Sequence, residues 1–196
     1  MLDVTDLILE DHHTMRRQFA LLDDCWDDPR ALGLVWKGLA RLLDVHAACE
    51  EEVFYPYLLK YGDSGDDSAT EGDVVDETDD ALGDHNEIRD AVAAAGGHEP
   101  GTDDWWEAVR KAREENDDHL AEEEHDALPD FRRNASVELR AELALRWLDW
   151  RYAHDSGDGI TYDKDPEDYI EQYRSHPVAD PVDEPVAATS VTQHTS

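Results

Sequence analysis

One spacing of His, Glu and Pro occurs twice in the chain, and this repeat constrains the fold more than any other feature. It appears as "HAACEEEVFYP", which begins at His46, and as "HLAEEEHDALP", which begins at His119. In each segment a Glu follows the His after four residues and a Pro after ten: Glu50 and Pro56, then Glu123 and Pro129. Residues four apart lie on one face of an α-helix, so each segment predicts a helix that presents an imidazole beside a carboxylate.

The rest of the chain also has helical periodicity, and no alternating pattern is long enough to predict a strand. Capping signals and apolar stripes predict five helices, over residues 2–25, 30–60, 73–95, 103–133 and 136–154. We therefore predict an all-α fold: an up-down-up-down four-helix bundle, with an additional C-terminal helix and an acidic tail.

Composition divides the chain into two parts. Residues 1–154 form the predicted bundle with its packed fifth helix, and residues 155–196, rich in Asp, Pro and Thr, form an acidic and largely disordered tail. Within this tail, "PEDYIEQYR" predicts a short helix that docks Tyr169, Ile170 and Tyr173 on the bundle. Disorder is expected beyond Ser175.

The formal net charge of −33 bounds the choice of partners. So acidic a surface repels nucleic acid and anionic membranes, and neither is expected as a partner. An apolar content of 40% and six Trp argue that most of the chain folds. We hypothesise adaptation to high salt, because ions screen the self-repulsion of the folded state.

The expected location is the cytoplasm. The N-terminus has neither the basic region nor the apolar core of a signal peptide, and no apolar run approaches the ~20 residues that span a bilayer. Cys25 and Cys49 match no CxxC motif, and their predicted positions are too far apart for a disulfide. A reducing compartment is consistent with both observations.

Each of the four bundle helices is predicted to point one His into the interior. The apolar stripe through Ile8 and Met15 passes through His12 and misses His13. The same test places three more His and both Glu of the repeat on inward faces: His46, Glu50, His85, His119 and Glu123.

A core layer of four His and two Glu needs a partner for its polar atoms. Burying an unpaired carboxylate costs several kcal/mol, and a metal ion is the simplest partner because imidazole and carboxylate both bind cations. Six side chains exceed the four ligands of a structural zinc site, and carboxylates from two helices can bridge a pair of ions. Mixed nitrogen and oxygen ligands suit iron, with Mn next and Zn a poorer choice, so we predict two non-haem Fe ions.

A ferritin-type carboxylate site is disfavoured. That site needs two Glu-x-x-His pairs and two further Glu, whereas this sequence has one such pair, Glu122 and His125.

Four segments of the sequence resemble the signature helices of the hemerythrin-like HHE cation-binding domain. They are "EDHHTMRRQF", "LLDVHAACEEEVFYPYL", "DHNEIRDAV" and "HLAEEEHDALPDF", and they span about residues 5–133. The resemblance implies a four-helix bundle that holds an oxo- or hydroxo-bridged diiron centre. It assigns terminal ligands to His12, His46, His85 and His119, and bridging carboxylates to Glu50 and Glu123, which are the six residues selected by periodicity.

The sequence departs from the oxygen-carrying hemerythrins at one ligand. Those proteins have a fifth His one turn from the ligand on the third helix, where this chain has Ala81 and Arg89. One iron thereby gains a position for water, for an exogenous ligand or for another side chain. Glu77, Glu115 and Glu122 are the candidate side chains, and plain reversible oxygen carriage becomes a weaker expectation.

Three functions are compatible with these features. The first is a non-haem diiron-binding protein that binds or senses dioxygen, nitric oxide or iron through a carboxylate-bridged site in the bundle core. The second is enzyme-like peroxide handling, or iron storage and delivery that includes repair of iron–sulfur centres. The third is a structural bundle that binds a cation. We favour the first, which needs no catalytic residue, with a small diatomic ligand or peroxide as the partner.

Overall fold

The computed structural model of the protein describes residues 1–63, 74–162 and 164–181, and every regular element in these ranges is helical. A π-helical segment, Glu50–Phe54, connects the second α-helix to the third. The α-helices in chain order are α1 (Val4–Asp24), α2 (Pro29–Cys49), α3 (Tyr55–Tyr61), α4 (Val74–Gly96), α5 (Asp103–His125), α6 (Ala127–Asn134), α7 (Val137–His154) and α8 (Pro166–Ser175). The predicted all-α fold class is confirmed.

Helices α1, α2, α4 and α5 form a four-helix bundle. Both α1 and α4 contact α2 and α5, which closes the four helices into a ring around one interior. Outside this ring, α7 packs against α1 and α2, and α8 packs against α3 and α4. The bundle therefore has two added helices, each covering a different pair of neighbours.

Side-chain caps begin the main helices where the sequence places them. The Asp28 carboxylate accepts from two backbone N–H groups of the first turn of α2, and Pro29 occupies the position where a missing N–H costs nothing. Thr102 and Ser136 cap α5 and α7 in the same way. Each cap satisfies donors that the first turn of a helix leaves free.

Two apolar clusters fill the bundle, and the layer of His and Glu lies between them. One cluster contains Val4 and Ile8 from the start of α1, and the other contains Met15 and Phe19 from later in the same helix. His12 lies between the two groups. The corresponding His of α2 and α4 also separate residues of one cluster from residues of the other. In α5 the Nε2 of His119 lies 3.1 Å from that of His85, so four helices place their imidazoles at one level.

Two predicted helices are interrupted just past this layer. The second, predicted as continuous over 30–60, changes to π-helical geometry at Glu50, and the fourth, predicted over 103–133, breaks at Asp126. A Pro follows each interruption, Pro56 in the first turn of α3 and Pro129 in α6. Pro has no N–H to donate to the carbonyl of the preceding turn, which explains why both helices change geometry there.

The chain after α7 returns to the bundle. Helix α8 covers the segment predicted to be helical, and its Tyr169 and Ile170 are buried in the apolar cluster that contains Ile8. Residues 176–181 continue along α3, where Lys60 Nζ donates to the carbonyl of Val178 at 2.7 Å. The remaining residues of the predicted tail, 182–196, lie outside the described residues.

Candidate metal centre

The π-helical segment buries two consecutive carboxylates. The N–H of Tyr55 bonds to the carbonyl of Glu50, which is the wide bond that defines a π turn. Glu50 and Glu51 are both 0% exposed. In a regular α-helix consecutive side chains diverge by about 100°, and the wider turn reduces that divergence, so both can face inward.

Both Glu of the repeat lie between imidazoles from different helices. The two oxygens of Glu50 approach two different rings, with Oε1 3.0 Å from His46 Nε2 and Oε2 3.3 Å from His85 Nε2. Glu123 uses a single oxygen, since its Oε2 lies 3.4 Å from His12 Nε2 and 3.7 Å from His119 Nε2. All six predicted residues are therefore brought together.

Several atoms of this layer have no hydrogen-bond partner. They are His12 Nε2, His46 Nε2, both carboxylate oxygens of Glu50, and Glu123 Oε2. An unsatisfied buried carboxylate oxygen is costly, and native cores rarely keep one without a ligand. The set of nitrogen and oxygen donors fits a divalent or trivalent cation.

The donors divide into two groups that could each hold one ion. In each group the ligand atoms lie within 4.8 Å of one another. The first group is His12, His46, Glu50 and Glu123, and the second is Glu50, His85 and His119. Glu50 belongs to both groups, which is the arrangement expected of a carboxylate between two ions.

A second layer of carboxylates faces the outer nitrogen of every imidazole. Each His directs Nε2 to the centre, and its Nδ1 lies near a carboxylate of another helix or segment. The pairs are His12 with Glu124 at 3.0 Å, His46 with Asp11 at 3.2 Å, His85 with Glu51 at 2.9 Å, and His119 with Asp84 at 3.5 Å. A carboxylate at Nδ1 favours the tautomer whose Nε2 carries the lone pair, and it orients the ring.

These four carboxylates follow a rule that the sequence analysis missed. Each is the immediate sequence neighbour of a predicted ligand: Asp11 of His12, Glu51 of Glu50, Asp84 of His85, and Glu124 of Glu123. The signal available in the sequence was an acid next to one inward residue of each predicted bundle helix. The sequence could not reveal the contact itself, because each acid pairs with the His of a different helix.

Basic side chains support three of the four outer carboxylates. Arg16 pairs with Glu124 at 2.6 Å, and Arg151 of α7 donates to Asp11. Glu51 forms ion pairs with two basic side chains, Arg89 at 2.8 Å and Lys164 at 3.3 Å. In the part of the chain that the structure describes, no Lys or Arg forms an ion pair with the fourth, Asp84.

His46 holds its proton strongly when no metal competes for it. Burial alone would lower the pKa of His46, but the Glu50 and Asp11 carboxylates outweigh burial and raise that pKa to about 10. Burial opposes ionisation of Glu50 as well, yet the adjacent His46 and His85 hold the pKa of Glu50 well below its ordinary value. A cation that binds His46 must displace this proton, so its affinity rises with pH.

Tyr55 is a further site residue that the sequence analysis missed. Its hydroxyl donates to Glu123 Oε1 at 2.8 Å in a buried position. Burial, and then the negative charge of Glu123, raise the pKa of Tyr55 well above its ordinary value, so the hydroxyl keeps its proton. Because Tyr55 occupies one oxygen of Glu123, only the other oxygen faces the imidazoles. Its inward direction depends on the π turn, which periodicity did not predict.

A cavity of about 340 Å³ reaches the layer beside His119 and Glu123. Ala81, one of the two positions where a fifth His would stand, lines this cavity. Two candidates for a replacement side chain, Glu77 and Glu122, line it as well. The third candidate, Glu115, pairs instead with Lys111 on the surface.

The comparison with known families agrees with the site. Residues 3–131 match the family described as the Hemerythrin HHE cation binding domain. The chain belongs to this family. The match includes all six inward residues of the HHE domain and ends before α7 and α8. Comparison with curated proteins and with solved structures gives no match. None of the helices in the described ranges is long and apolar enough to cross a membrane.

Proposed function

We propose that this HHE-domain protein is a non-haem diiron protein that binds or senses a small ligand, dioxygen or nitric oxide, at its metal centre. One observation carries the proposal: the two oxygens of the buried Glu50 approach imidazoles of two different helices and have no hydrogen-bond partner. A single carboxylate that faces two donor groups is suited to bridging two ions. Iron is the metal that mixed His and carboxylate ligands of this kind suit best, ahead of Mn or Zn.

In this proposal the six inward residues share two ions. His12 and His46 would hold one ion, and His85 and His119 would hold the other. Glu50, which belongs to both donor groups, and Glu123 would supply the carboxylate ligands. When bound, the two irons supply redox chemistry and coordination positions for a small exogenous ligand.

The protein's own groups orient the centre and limit its exposure. The outer carboxylates hold the four rings with Nε2 inward, and the apolar clusters on either side of the layer exclude water along the bundle axis. The Tyr55 hydroxyl keeps a proton beside Glu123 and is a hydrogen-bond donor at the edge of the cavity.

Iron storage or delivery is the second candidate, and the cavity favours it. Exposed acids, among them Asp76, Asp80 and Glu122, line the path from the surface to Glu123. An acidic opening suits cation exchange better than retention of a neutral gas. The same opening admits water, which weighs against plain reversible oxygen carriage and leaves peroxide handling as a third outcome to test.

The metal content and visible spectrum of the air-exposed protein test this proposal. We expect two irons per chain, near-ultraviolet oxo–iron bands, and a further band that appears and disappears with dioxygen or nitric oxide. Bands that bleach irreversibly, or turnover of added peroxide, would favour the enzyme-like alternative. A colourless protein that retains zinc from iron-replete cells would overturn the proposal in favour of a structural cation site.

We also propose that the protein works in a salt-rich cytoplasm without a nucleic-acid or membrane partner. The support is the net charge of −33, which repels polyanions and destabilises the folded state at low ionic strength. Unfolding measured against KCl concentration tests the salt hypothesis. We expect the free energy of unfolding to rise with KCl, and an unchanged value would refute it.

A further inference from the structure

The cavity beside His119 is lined by acids over most of its length. Asp76, Asp80 and Glu122 are exposed at its outer end, and Glu77 and Asp126 are half-buried. In the described part of the chain no Lys or Arg lines it. We use the name acidic cavity for the space bounded by these five side chains.

The inner end of the acidic cavity is a metal-binding donor. Glu123 lines the cavity with only 3% of its surface exposed, and its Oε2 has no hydrogen-bond partner. His119 lies beside it with Nε2 3.7 Å from the same oxygen. The acids therefore lead to an unsatisfied carboxylate oxygen of the candidate centre, and the cavity connects that oxygen with the surface.

Positively charged side chains lie on the outer side of the other three imidazoles. Arg16 lies behind His12, Arg151 behind His46, and Arg89 with Lys164 behind His85, in each case through the outer carboxylate. A cation that approached from those sides would meet an Arg or Lys first. His119 is the imidazole whose outer carboxylate, Asp84, pairs with no such side chain among the described residues.

Elementary electrostatics makes the His119 side the favourable route for a cation. A concave surface lined by one sign of charge, with protein walls of low dielectric constant, raises the local concentration of counter-ions. Carboxylates bind hard divalent cations while the ion keeps part of its water, which allows a weak hold and onward transfer. The same field repels anions.

We infer that the acidic cavity is the entry path and transient binding site for a hydrated divalent cation, Fe²⁺ in the first place, on its way to Glu123 and His119. The inference rests on the proposed diiron function, because it assigns a route to that centre. It adds a role for Asp76 and Asp80, which are not among the candidate ligands, and it predicts that their loss changes the rate of uptake without changing the final amount bound.

A charge-neutralised variant tests the route. We compare Asp76→Asn/Asp80→Asn with the control Asp90→Asn/Asp104→Asn, whose acids are exposed on another part of α4 and α5. Both variants lose the same net charge, and Asp76 and Asp104 each lie in the first turn of a helix. Anaerobic Fe²⁺ is mixed with metal-free protein, and free iron is trapped with a chelator at successive times.

The rate and the endpoint of uptake answer separate questions. We expect the cavity variant to take up Fe²⁺ more slowly by about tenfold or more, with an unchanged final amount, and the control variant to change by less than about twofold. Added salt should slow uptake by the unmodified protein and the control variant more than by the cavity variant. Equal rates in the two variants would overturn the inference, as would a lower endpoint with an unchanged rate.

A second variant tests access rather than charge. Ala81→Leu places a larger apolar side chain in the wall of the acidic cavity. We expect slower uptake of Fe²⁺ and equally slower removal of bound iron by a chelator, with the same final amount. Unchanged rates in both directions would overturn the route. If the unmodified protein bound no iron at all, the proposed diiron function would fail. If it bound iron normally and the variants did so at unaltered rates, only the entry route would fail.

Discussion

His46 lies against a covered wall of the bundle, whereas His119 borders a cavity that reaches the surface. The indole ring of Trp147 meets the His46 ring edge-on at 5.7 Å, and Arg151 of the same helix holds Asp11 behind it. On the other side, Asp84 is 31% exposed and the wall is formed by acids. We refer to His12 and His46 as the closed half of the centre, and to His85 and His119 as the open half.

The comparison of the two halves shows that the same His–Glu spacing can lie in two different environments. Both repeats supply a His and a Glu one turn apart, so the donor chemistry of the halves is alike. They differ in what lies outside the ring of four helices. Helix α7 covers the closed half, and the side of the open half that faces Ala81 stays accessible. The closed half is suited to retaining an ion, and the open half to exchanging an ion or a ligand.

Removal of the shared carboxylate should break both halves at once. Glu50 belongs to both groups of donors and uses both oxygens, whereas Glu123 belongs to the first group and approaches His12 and His119 with one oxygen. We expect Glu50→Ala to lower the iron content from two per chain to less than one, and Glu123→Ala to leave about one. Metal analysis after anaerobic loading measures this, with the exposed Glu52→Ala as the control. Two irons retained in Glu50→Ala would contradict the bridging role.

Removal of the cover should make the closed half resemble the open one. Trp147→Ala deletes a buried indole from the wall beside His46, and we expect it to cost about 3–5 kcal/mol of unfolding free energy. Chelator removal of iron should also become faster. Denaturant unfolding measures the stability, with Trp26→Ala as the control because Trp26 is exposed. A variant that stayed as stable as this control would show that α7 does not seal the site.

Two of the outer carboxylates, Asp11 and Asp84, allow the closed and open halves to be compared through their effect on iron affinity. Asp11 is held by Arg151 and faces His46 at 3.2 Å, while Asp84 lies farther from His119 and is partly exposed. We expect Asp11→Asn to weaken iron binding by about 10- to 100-fold, and Asp84→Asn to have a smaller effect. Competition with a chelator of known affinity gives both values. A larger loss in Asp84→Asn would reverse the assignment of the two halves.

The smallest expected effect is a pH dependence of the metal-free protein. The folded state raises the pKa of His46 from 6.5 to about 10, so the stabilisation from its proton is complete below pH 6.5 and is lost as the pH rises towards 10. The melting temperature of the metal-free protein should fall across this interval. Iron-loaded protein should not show this fall, since a ligand imidazole is already deprotonated.

A His variant provides the control for this dependence. In the metal-free state His46→Gln should flatten the profile between pH 6.5 and about 10, whereas His13→Gln, on an exposed position of α1, should leave it unchanged. Equal slopes in the two variants would show that another group is responsible.

Periodicity was sufficient to select the six inward residues. His12 could be separated from His13 because only one of two adjacent positions continues an apolar stripe. Periodicity does not show that these residues lie at one level, since His85 is 11 residues before the end of α4 and His119 is 16 residues after the start of α5. The structure nevertheless places their Nε2 atoms 3.1 Å apart, because the loop at 97–102 absorbs the difference.

Two of the residues that periodicity missed, Glu51 and Tyr55, share one cause. Glu51 and Tyr55 point inward through the π turn, and a 3.6-residue pattern assigns them elsewhere. Their contacts with His85 and Glu123 join positions far apart in the chain. A local pattern reports which face of a helix is apolar, and it carries no information on which helix that face will meet.

Residue spacing was enough to predict that the chain is helical, that one His from each bundle helix faces the interior, and that two Glu accompany them. These properties depend on side-chain spacing along a single helix. The folded arrangement of the helices was needed to see which carboxylate supports which imidazole, that α7 covers one half of the centre, and that an acidic cavity opens beside Ala81. Those properties depend on the positions of neighbouring helices, which are fixed by packing across the whole molecule.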